Sequence, residues 1–270
     1  MLAGDQVRAA LFDSVRNIID VDALSQSAVL VMGCGGIGSL TAVYLTHSGV
    51  GTLGIWDHDP ASLSNVARSA YRVQDWDQLK VQALKQHVKT INPFIKIVAY
   101  AGDIFQAPAE LVTGLSRRYG TAIVAVDDIR VHESLNAMWY PRIEVIYTYV
   151  TDNGNAGEIV RTRPGESGCV RCLTNIEARR RAGIATAFQA LGLDFHRVAM
   201  EAACVTLGIL LRGKRGGELF GEYVMPSAHL FMVLTRRHGA LAEALPEGFL
   251  NGTVGVDTRG AGLRCPVCGG

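Results

Sequence analysis

Several things are scarce in this chain of 270 residues, and each scarcity removes a class of function. Charge of one sign is missing: 26 Lys and Arg stand against 25 Asp and Glu, a formal net charge of +1. There is no basic field to seat a nucleic-acid backbone and no acidic tail. Long apolar runs are missing as well. The best of them, Val205 to Leu211, stops at Arg212, far short of the roughly 20 residues that a membrane span takes. The first ten residues, MLAGDQVRAA, carry an early Asp and lack a basic-then-apolar leader pattern. Cysteine is too sparse for a disulfide scaffold, with 6 in all. The expectation is a soluble, cytoplasmic protein with no membrane contact and no nucleic acid as its main partner. No internal repeat or low-complexity tract interrupts it. Apolar residues make up 49% of the chain, ample for a sizeable core.

What is present is organised around Val29 to Asp59. A short apolar run, AVLVM, feeds Gly33-Cys34-Gly35-Gly36-Ile37-Gly38-Ser39, which opens an apolar-periodic helix. A second β-rich run then ends on Asp57 and Asp59. This is the pattern of a βαβ unit of nucleotide-binding type. Gly33 suits the tight turn out of the strand, Gly35 and Gly36 a close approach of backbone to a phosphate-bearing ligand, and Gly38 close helix–strand packing. The helix N-terminus adds free N–H groups and the positive end of a dipole. Asp57 stands where a carboxylate receives ribose hydroxyls. The loop alone does not separate an ATP site from a dinucleotide site, and an NAD(P)-dependent oxidoreductase stays open at this point.

Residues 5 to 20 place Val7, Leu11, Val15 and Ile18 on one helical stripe and predict an amphipathic helix laid on the domain or on a partner subunit. After Asp59 a polar, turn-rich stretch predicts a loop or short helical pieces. Asp77 is the expected cap of a helix that ends before Asn92-Pro93. Lys96 to Tyr100 reads as a strand, Pro108 to Tyr119 as a helix, and Thr121 to Asp127 as a buried parallel strand closing on Asp127 and Asp128. A helix up to Tyr140 and a β-rich run, EVIYTYVTD, follow. Strands alternating with helices imply a Rossmann-like, doubly wound, mostly parallel sheet. Asp127 then lies at the end of the sheet where open α/β sheets bind ligands. Past Thr151 the pattern changes. Asn153-Gly154-Asn155 is a turn signal before a return strand from Glu158 to Arg163, Glu177 to Gly192 is a basic, loosely patterned segment, and Val198 to Leu211 is a helix. The expected division is an N-terminal helix over 1–26, a nucleotide-binding core over 27–152, and an extension over 153–270.

The cysteines fall as Cys169/Cys172, Cys265/Cys268 and two singletons, Cys34 and Cys204. Two CxxC knuckles let four thiolates share one metal at ~2.3 Å in a closed tetrahedral site. Neither pair opens a helix in the thioredoxin pattern, so a structural Zn²⁺ clip tying the C-terminus back onto the chain is the expectation.

With these pieces in order the chain resembles the ThiF/MoeB family, bacterial relatives of ubiquitin-activating enzymes. The resemblance rests on GCGGIGS at 33–39, Asp57 and Asp59, Ser64-Asn65-x-x-Arg68, Lys80, INP at 91–93, Asp127 with Asn136, and both cysteine pairs. It implies an enzyme that binds ATP with Mg²⁺ and adenylates the C-terminal glycine of a small ubiquitin-like or sulfur-carrier protein. It also implies a homodimer or a heterodimer, with a downstream conjugating enzyme as a further partner. Arg68 and Lys80 are then the phosphate cations, Asn65 a donor to phosphate or ribose, Asp57 the ribose ligand, and Asp127 the magnesium ligand, with Asp59 and Asp128 beside them. Three departures stand out: Asp127-Asp128 replaces a D-N pair, His132 stands where an arginine is expected, and Ser69 follows Arg68 in place of glutamine. The cysteine-carrying segment that some relatives use for a thioester has no cysteine here between Leu173 and Val198. Two alternatives remain: a catalytically silent scaffold subunit, and adenylation of a peptide or tRNA.

Overall fold

The computed structural model describes residues 4–151, 156–174, 190–224, 230–234, 251–254, 265 and 267. Its centre is a single sheet of eight strands in the order β3-β2-β1-β4-β5-β6-β7-β8. In chain order these are β1 (Ala28–Met32), β2 (Thr52–Asp57), β3 (Lys96–Ala101), β4 (Thr121–Val124), β5 (Glu144–Thr151), β6 (Ala156–Thr162), β7 (Leu230–Leu234) and β8 (Asn251–Val254). The first five pair in parallel and the last three add antiparallel strands to the β5 edge. The expected doubly wound, mostly parallel sheet is therefore observed, as is the return strand after β5. The turn expected at 153–155 falls outside the described residues, as does most of the segment 177–192.

Alternation along β1 explains the layering. Val29 and Val31 face one hydrophobic core, Leu30 and Met32 the other, and all four are almost fully buried. Strands covered on both faces read as continuous apolar runs, as this one does. The first face is covered by α3 (Gly36–His47), α5 (Lys80–Ile91) and α9 (Gly192–Leu210), through Leu40, Leu45, Leu84, Val88, Val198 and Val205. The second is covered by α6 (Ala109–Arg118) and α7 (Ile129–Trp139), through Val112, Leu115, Leu135 and Trp139. Helix α3 is apolar nearly all round because the sheet and α9 enclose it. No helix among the described residues is long and apolar enough to cross a membrane.

Four expectations need correction. The N-terminal segment is not one helix: α1 (Gly4–Leu11) stops, turns follow, and α2 (Val21–Ser25) begins afresh. Asp20 ends the run by accepting from Ala23 N at 2.9 Å as the cap of α2, and its own N–H reaches back to Arg215 O at 3.0 Å. The buried residues are accordingly Phe12 and Ile19, while Leu11 and Ile18 of the expected stripe are exposed. Asp77 does not cap α5; it adopts φ +67°, and Leu79 is the cap. The chain doubles back there, with Ala61 N bonded to Gln78 O and Asp77 N to Ala61 O. Asp is one of the few residues that visits this left-handed region. Strand β4 ends at Val124, so Asp127 lies beyond it in the loop to α7. The long helix begins earlier than expected, at Gly192, so α9 reaches the cleft described below.

Order 3-2-1-4 makes the gap between β1 and β4 the topological switch point, where connections diverge and a crevice opens at the carboxyl ends of the strands. Two glycines shape that end of β1. Gly33 has φ +84°, and a Cβ on Gly38 would lie 1.9 Å from the Gly33 carbonyl oxygen. Replacing Gly38 by Ala must push α3 off β1. Its expected cost is about 3 kcal/mol, read as a lowered midpoint in denaturant unfolding; an unchanged midpoint would show that helix and strand are not packed this closely.

Candidate active site

A cleft of about 1550 Å³ opens over the switch point. Its walls come from the glycine loop, the ends of β2, β4 and β5, the loop after β2, and the first turn of α9. Of the residues expected from the sequence, Gly33, Gly35, Gly36, Asp57, Asp59, Asn65, Arg68, Lys80, Asp127 and Asp128 all line it. Gly38 lies behind the wall, against Gly33.

Asp57 is the pivot. Its carboxylate, buried at the end of β2, accepts from Cys34 N at 2.6 Å and from Asp59 N at 2.8 Å. One carboxylate thus fixes both the glycine loop and the turn after β2. Lys80, the first residue of α5, lays its ammonium 2.7 Å from Asp59 Oδ2 and 3.8 Å from Asp57 Oδ1. An ammonium carries three donors, so this pairing leaves capacity for a further acceptor. Asp57, His58 and Asp59 bring three donor atoms within 4.8 Å of one another, but Lys80 already occupies that cluster as its cation.

The loop carrying Asn65 and Arg68 is stapled down at several points. Helix α4 (Leu63–Val66) is one turn, capped by a box in which Asn65 Oδ1 accepts from Ser62 N at 2.9 Å. Asn65 is buried, so its oxygen builds the loop. Ser69, found where glutamine was expected, donates to Asn65 O, and Ala70 N donates to Ser39 Oγ on α3. The Tyr71 hydroxyl donates to Cys34 O at 2.7 Å and approaches Lys80 O at 3.3 Å, joining the glycine loop to α5. Burial pushes its phenol far above the ordinary range. His87 on α5 holds the far side through Ala70 O at 2.9 Å and Asp75 Oδ2 at 3.0 Å.

Arg68 emerges from this braced loop half-buried, and no ion-pair partner is found for it among the described residues. Its guanidinium lies over the Phe195 ring, 5.4 Å from the centroid. Asp127, also on the cleft lining, is exposed and has no ion-pair or hydrogen-bond partner among the described residues. Asp128 differs: it caps α7 and binds Arg130, which donates from its backbone N at 2.8 Å and from Nη2 at 2.5 Å. That hydrogen-bonded guanidinium holds the Asp128 carboxyl below the usual range. His132 is buried, with Nε2 2.9 Å from Val126 O and Nδ1 2.9 Å from Tyr149 Oη, so it braces the β4 exit and does not line the cleft. Asn136 likewise is structural, accepting from Val170 N at 3.3 Å.

Sequence reasoning missed Arg130, Phe105, Tyr149 and Phe195. Arg130 carried a signal, a cation in the first turn after the Asp pair. Phe105 and Phe195 carried none, since one follows β3 and the other opens α9.

Remote from the cleft, Cys169 Sγ lies 4.0 Å from Cys172 Sγ and 3.7 Å from Cys265 Sγ. Sulfurs placed ~2.3 Å from one tetrahedral ion stand about 3.8 Å apart, so the three thiols suit such an ion. They cluster with Tyr140 and Val267 beside α8 (Val170–Thr174). Cys268, the expected fourth ligand, falls outside the described residues. Of the singletons, Cys34 is fully buried and its thiol pushed far up by that burial. Burial, with Glu201 and Glu222 beside it, pushes the Cys204 thiol up to about 11, which disfavours the thiolate a nucleophile needs.

A sequence profile of the ThiF family matches residues 7–226. The chain belongs to the ThiF family. It is 30% identical over 151 residues to the sulfur carrier protein ThiS adenylyltransferase of Escherichia coli K12, covering 56% of this chain and 59% of that protein. It is 28% identical over 167 residues to ubiquitin-like modifier-activating enzyme 5 of Drosophila ananassae, covering 58% of this chain and 42% of that protein. The chain thus spans about half the length of these curated relatives. Among solved structures it is similar to Escherichia coli MccB with ATP, at TM-score 0.67 and 19% identity over 92% of this chain and 68% of that one. It is also similar to PaaA, at TM-score 0.64 and 19% identity over 94% and 84%. These structures share the fold of this ThiF-family chain.

Gly35 supplies a direct test of the cleft. A Cβ there would meet nothing within 4 Å, so Gly35→Ala should keep fold stability within about 1 kcal/mol while weakening nucleotide binding severalfold. Unfolding curves and nucleotide titration measure the two; unchanged binding would place the phosphates elsewhere.

Proposed function

We propose that this ThiF-family chain is an adenylyltransferase that uses ATP and Mg²⁺ to activate the C-terminal carboxylate of a small ubiquitin-like or sulfur-carrier protein. The observation carrying the reading is the presence on one cleft of an uncommitted guanidinium, Arg68, and an uncommitted carboxylate, Asp127. A dinucleotide oxidoreductase has no use for the two together, and neither has a silent scaffold.

The chemistry needs one carboxylate oxygen to form a bond to the α-phosphorus while the bond to the β-phosphate bridge breaks and pyrophosphate leaves. Negative charge gathers on the phosphate oxygens, and positioned cations lower the barrier. Arg68 offers a planar fork for those oxygens, and Lys80 a point charge beside the ribose-side carboxylates. Gly35 leaves its backbone open to the phosphates at the N-terminus of α3. Asp57 is the ribose ligand, with Asp59 next to it. Asn65 acts through the loop it caps. Asp127 suits Mg²⁺, which takes one or two carboxylates together with phosphate oxygens; magnesium there would neutralise phosphate charge. The Asp57–Asp59 cluster is the poorer choice, because a metal would have to displace Lys80. Asp128 is spent on Arg130.

Cys169, Cys172 and Cys265, with Cys268, would hold one structural Zn²⁺. The relatives' names support the substrate class: one acts on a sulfur carrier protein and another activates a ubiquitin-like modifier. Pairing as a homodimer or with a paralogue, and hand-over to a conjugating enzyme, complete the reading. With no cysteine between Leu173 and Val198 and a suppressed Cys204, the chain stops at the acyl-adenylate or passes it to an external thiol.

Two measurements test this. With the cognate protein, ATP and magnesium, the chain should exchange labelled pyrophosphate into ATP. Arg68→Ala, Lys80→Ala or Asp127→Ala should each cut that exchange about 100-fold or more, and normal exchange in Asp127→Ala would undo the magnesium assignment. Cys204→Ala should leave exchange intact, whereas a thioester trapped on Cys204 would overturn the claim of no internal thiol step. For the metal, protein purified without chelator should contain one zinc per chain, and Cys265→Ser should lose it with a loss of stability on the order of several kcal/mol. A zinc-free wild type refutes the clip.

A further inference from the structure

Phe195 is not explained by packing alone. It belongs to the first turn of α9, and three contacts seat that turn on the nucleotide machinery. Gly192 lies so close to Ala67 that a Cβ on it would stand 2.3 Å from the Ala67 carbonyl oxygen. The Phe195 ring lies against Gly36, where a Cβ would stand 2.6 Å from Cδ1 and 3.0 Å from the Arg68 carbonyl oxygen. The Arg68 guanidinium covers the same ring at 5.4 Å. The absence of a side chain at Gly36 therefore serves the protein: it admits Phe195, which carries Arg68. Gly35, with open space before it, is the residue that leaves room for a ligand.

The two arginines of the cleft show why an aromatic is the fitting support. Arg130 also lies over a ring, that of Phe105 at 5.6 Å, but it donates from Nε and Nη2 to Asp128, which commits that edge of its guanidinium. A ring face attracts a guanidinium through its quadrupole and fixes its plane, yet takes none of its N–H donors. Arg68 is thereby held in one orientation with its donor edge free for forked hydrogen bonds to phosphate. We infer that Phe195 is a positioning residue for Arg68, and that α9 couples its own docking to phosphate recognition through this ring. The inference rests on the adenylation reading for the identity of the ligand and not for the contact itself.

The test is a double-variant cycle on the full chain, with equilibrium titration of ATP, adenosine and inorganic pyrophosphate, and a melting curve for each protein. Phe195→Leu fills much of the space but removes the ring. It should weaken ATP and pyrophosphate about 10-fold and adenosine less than about 2-fold. In the Arg68→Ala background the same change should cost less than about 2-fold for any ligand. Phe195→Tyr, which keeps the ring, should lose far less than Phe195→Leu. Equal losses for ATP and adenosine, or a full loss repeated in the Arg68→Ala background, would overturn the inference and leave Phe195 as packing. Should Phe195→Leu fail to fold, Phe195→Met, with a flexible chain to lie on Gly36, runs the same cycle. Wild-type protein that binds pyrophosphate but not ATP would sink the adenylation reading, and the cycle is then read on pyrophosphate. Wild-type protein that binds neither overturns both.

Discussion

The buried carboxylate of Asp57 ties three separate segments of this molecule together. One oxygen accepts the N–H of Cys34 inside the glycine loop, the other the N–H of Asp59 in the turn after β2, and Lys80 adds its charge from the start of α5. Charge-assisted bonds to backbone donors are short and strong, and here they fix two loops that would otherwise exit neighbouring parallel strands independently. Because β1 and β2 run side by side in register, the loops that leave them are brought within reach of one side chain. A neutral residue at 57 would leave one buried and one half-buried donor without a charged partner and the ammonium of Lys80 without half of its counter-charge.

Around that pivot the cleft is braced by residues that do not themselves line it. Tyr71 joins the glycine loop to α5, Ser39 accepts from Ala70, and His87 grips the loop from behind. These bonds make the segment from Pro60 to Leu79 a wall despite its having only one helical turn and one short 3₁₀ turn. Preorganisation of this kind is what electrostatic catalysis needs, since a charge that must be moved into place at the moment of reaction stabilises little. Arg68 owes its orientation to this wall on one side and to the ring of Phe195 on the other.

The opposite end of the sheet is held by charge as well. Glu144 at the start of β5 meets Arg161, Arg163 and Arg212, with Arg161 fully buried. Arg212, just past α9, thereby anchors the end of that helix to β5, while its first turn lies on the cleft. The thiol cluster does similar work for the chain's end. It brings Cys265 against Cys169 across 96 positions of sequence. Neither feature lines the cleft.

Local pattern was enough for much of this. The glycine loop, the acid ending β2, the alternation of strands and helices and the paired cysteines were all legible, because each depends on dihedral preference or on spacing within one element. The acid pair after β4 was legible too, but its division of labour was not. Asp127 and Asp128 are neighbours of one type, and only the α7 cap and Arg130 make one structural and leave the other open. Asp77 misled because a capping residue and a left-handed turn residue share the same chemistry. The first helix misled because a stripe at helical spacing says nothing of where the chain must bend to meet Arg215. The composition and order of residues determined which side chains were on hand: the glycines, Arg68, Lys80, the acids and the thiols. Tertiary structure alone decided that Gly36, Arg68 and Phe195 form one stack. Those three come from the start of α3, a turn and the start of a distant helix, and their meeting depends on how α9 docks on α3, which no local periodicity encodes.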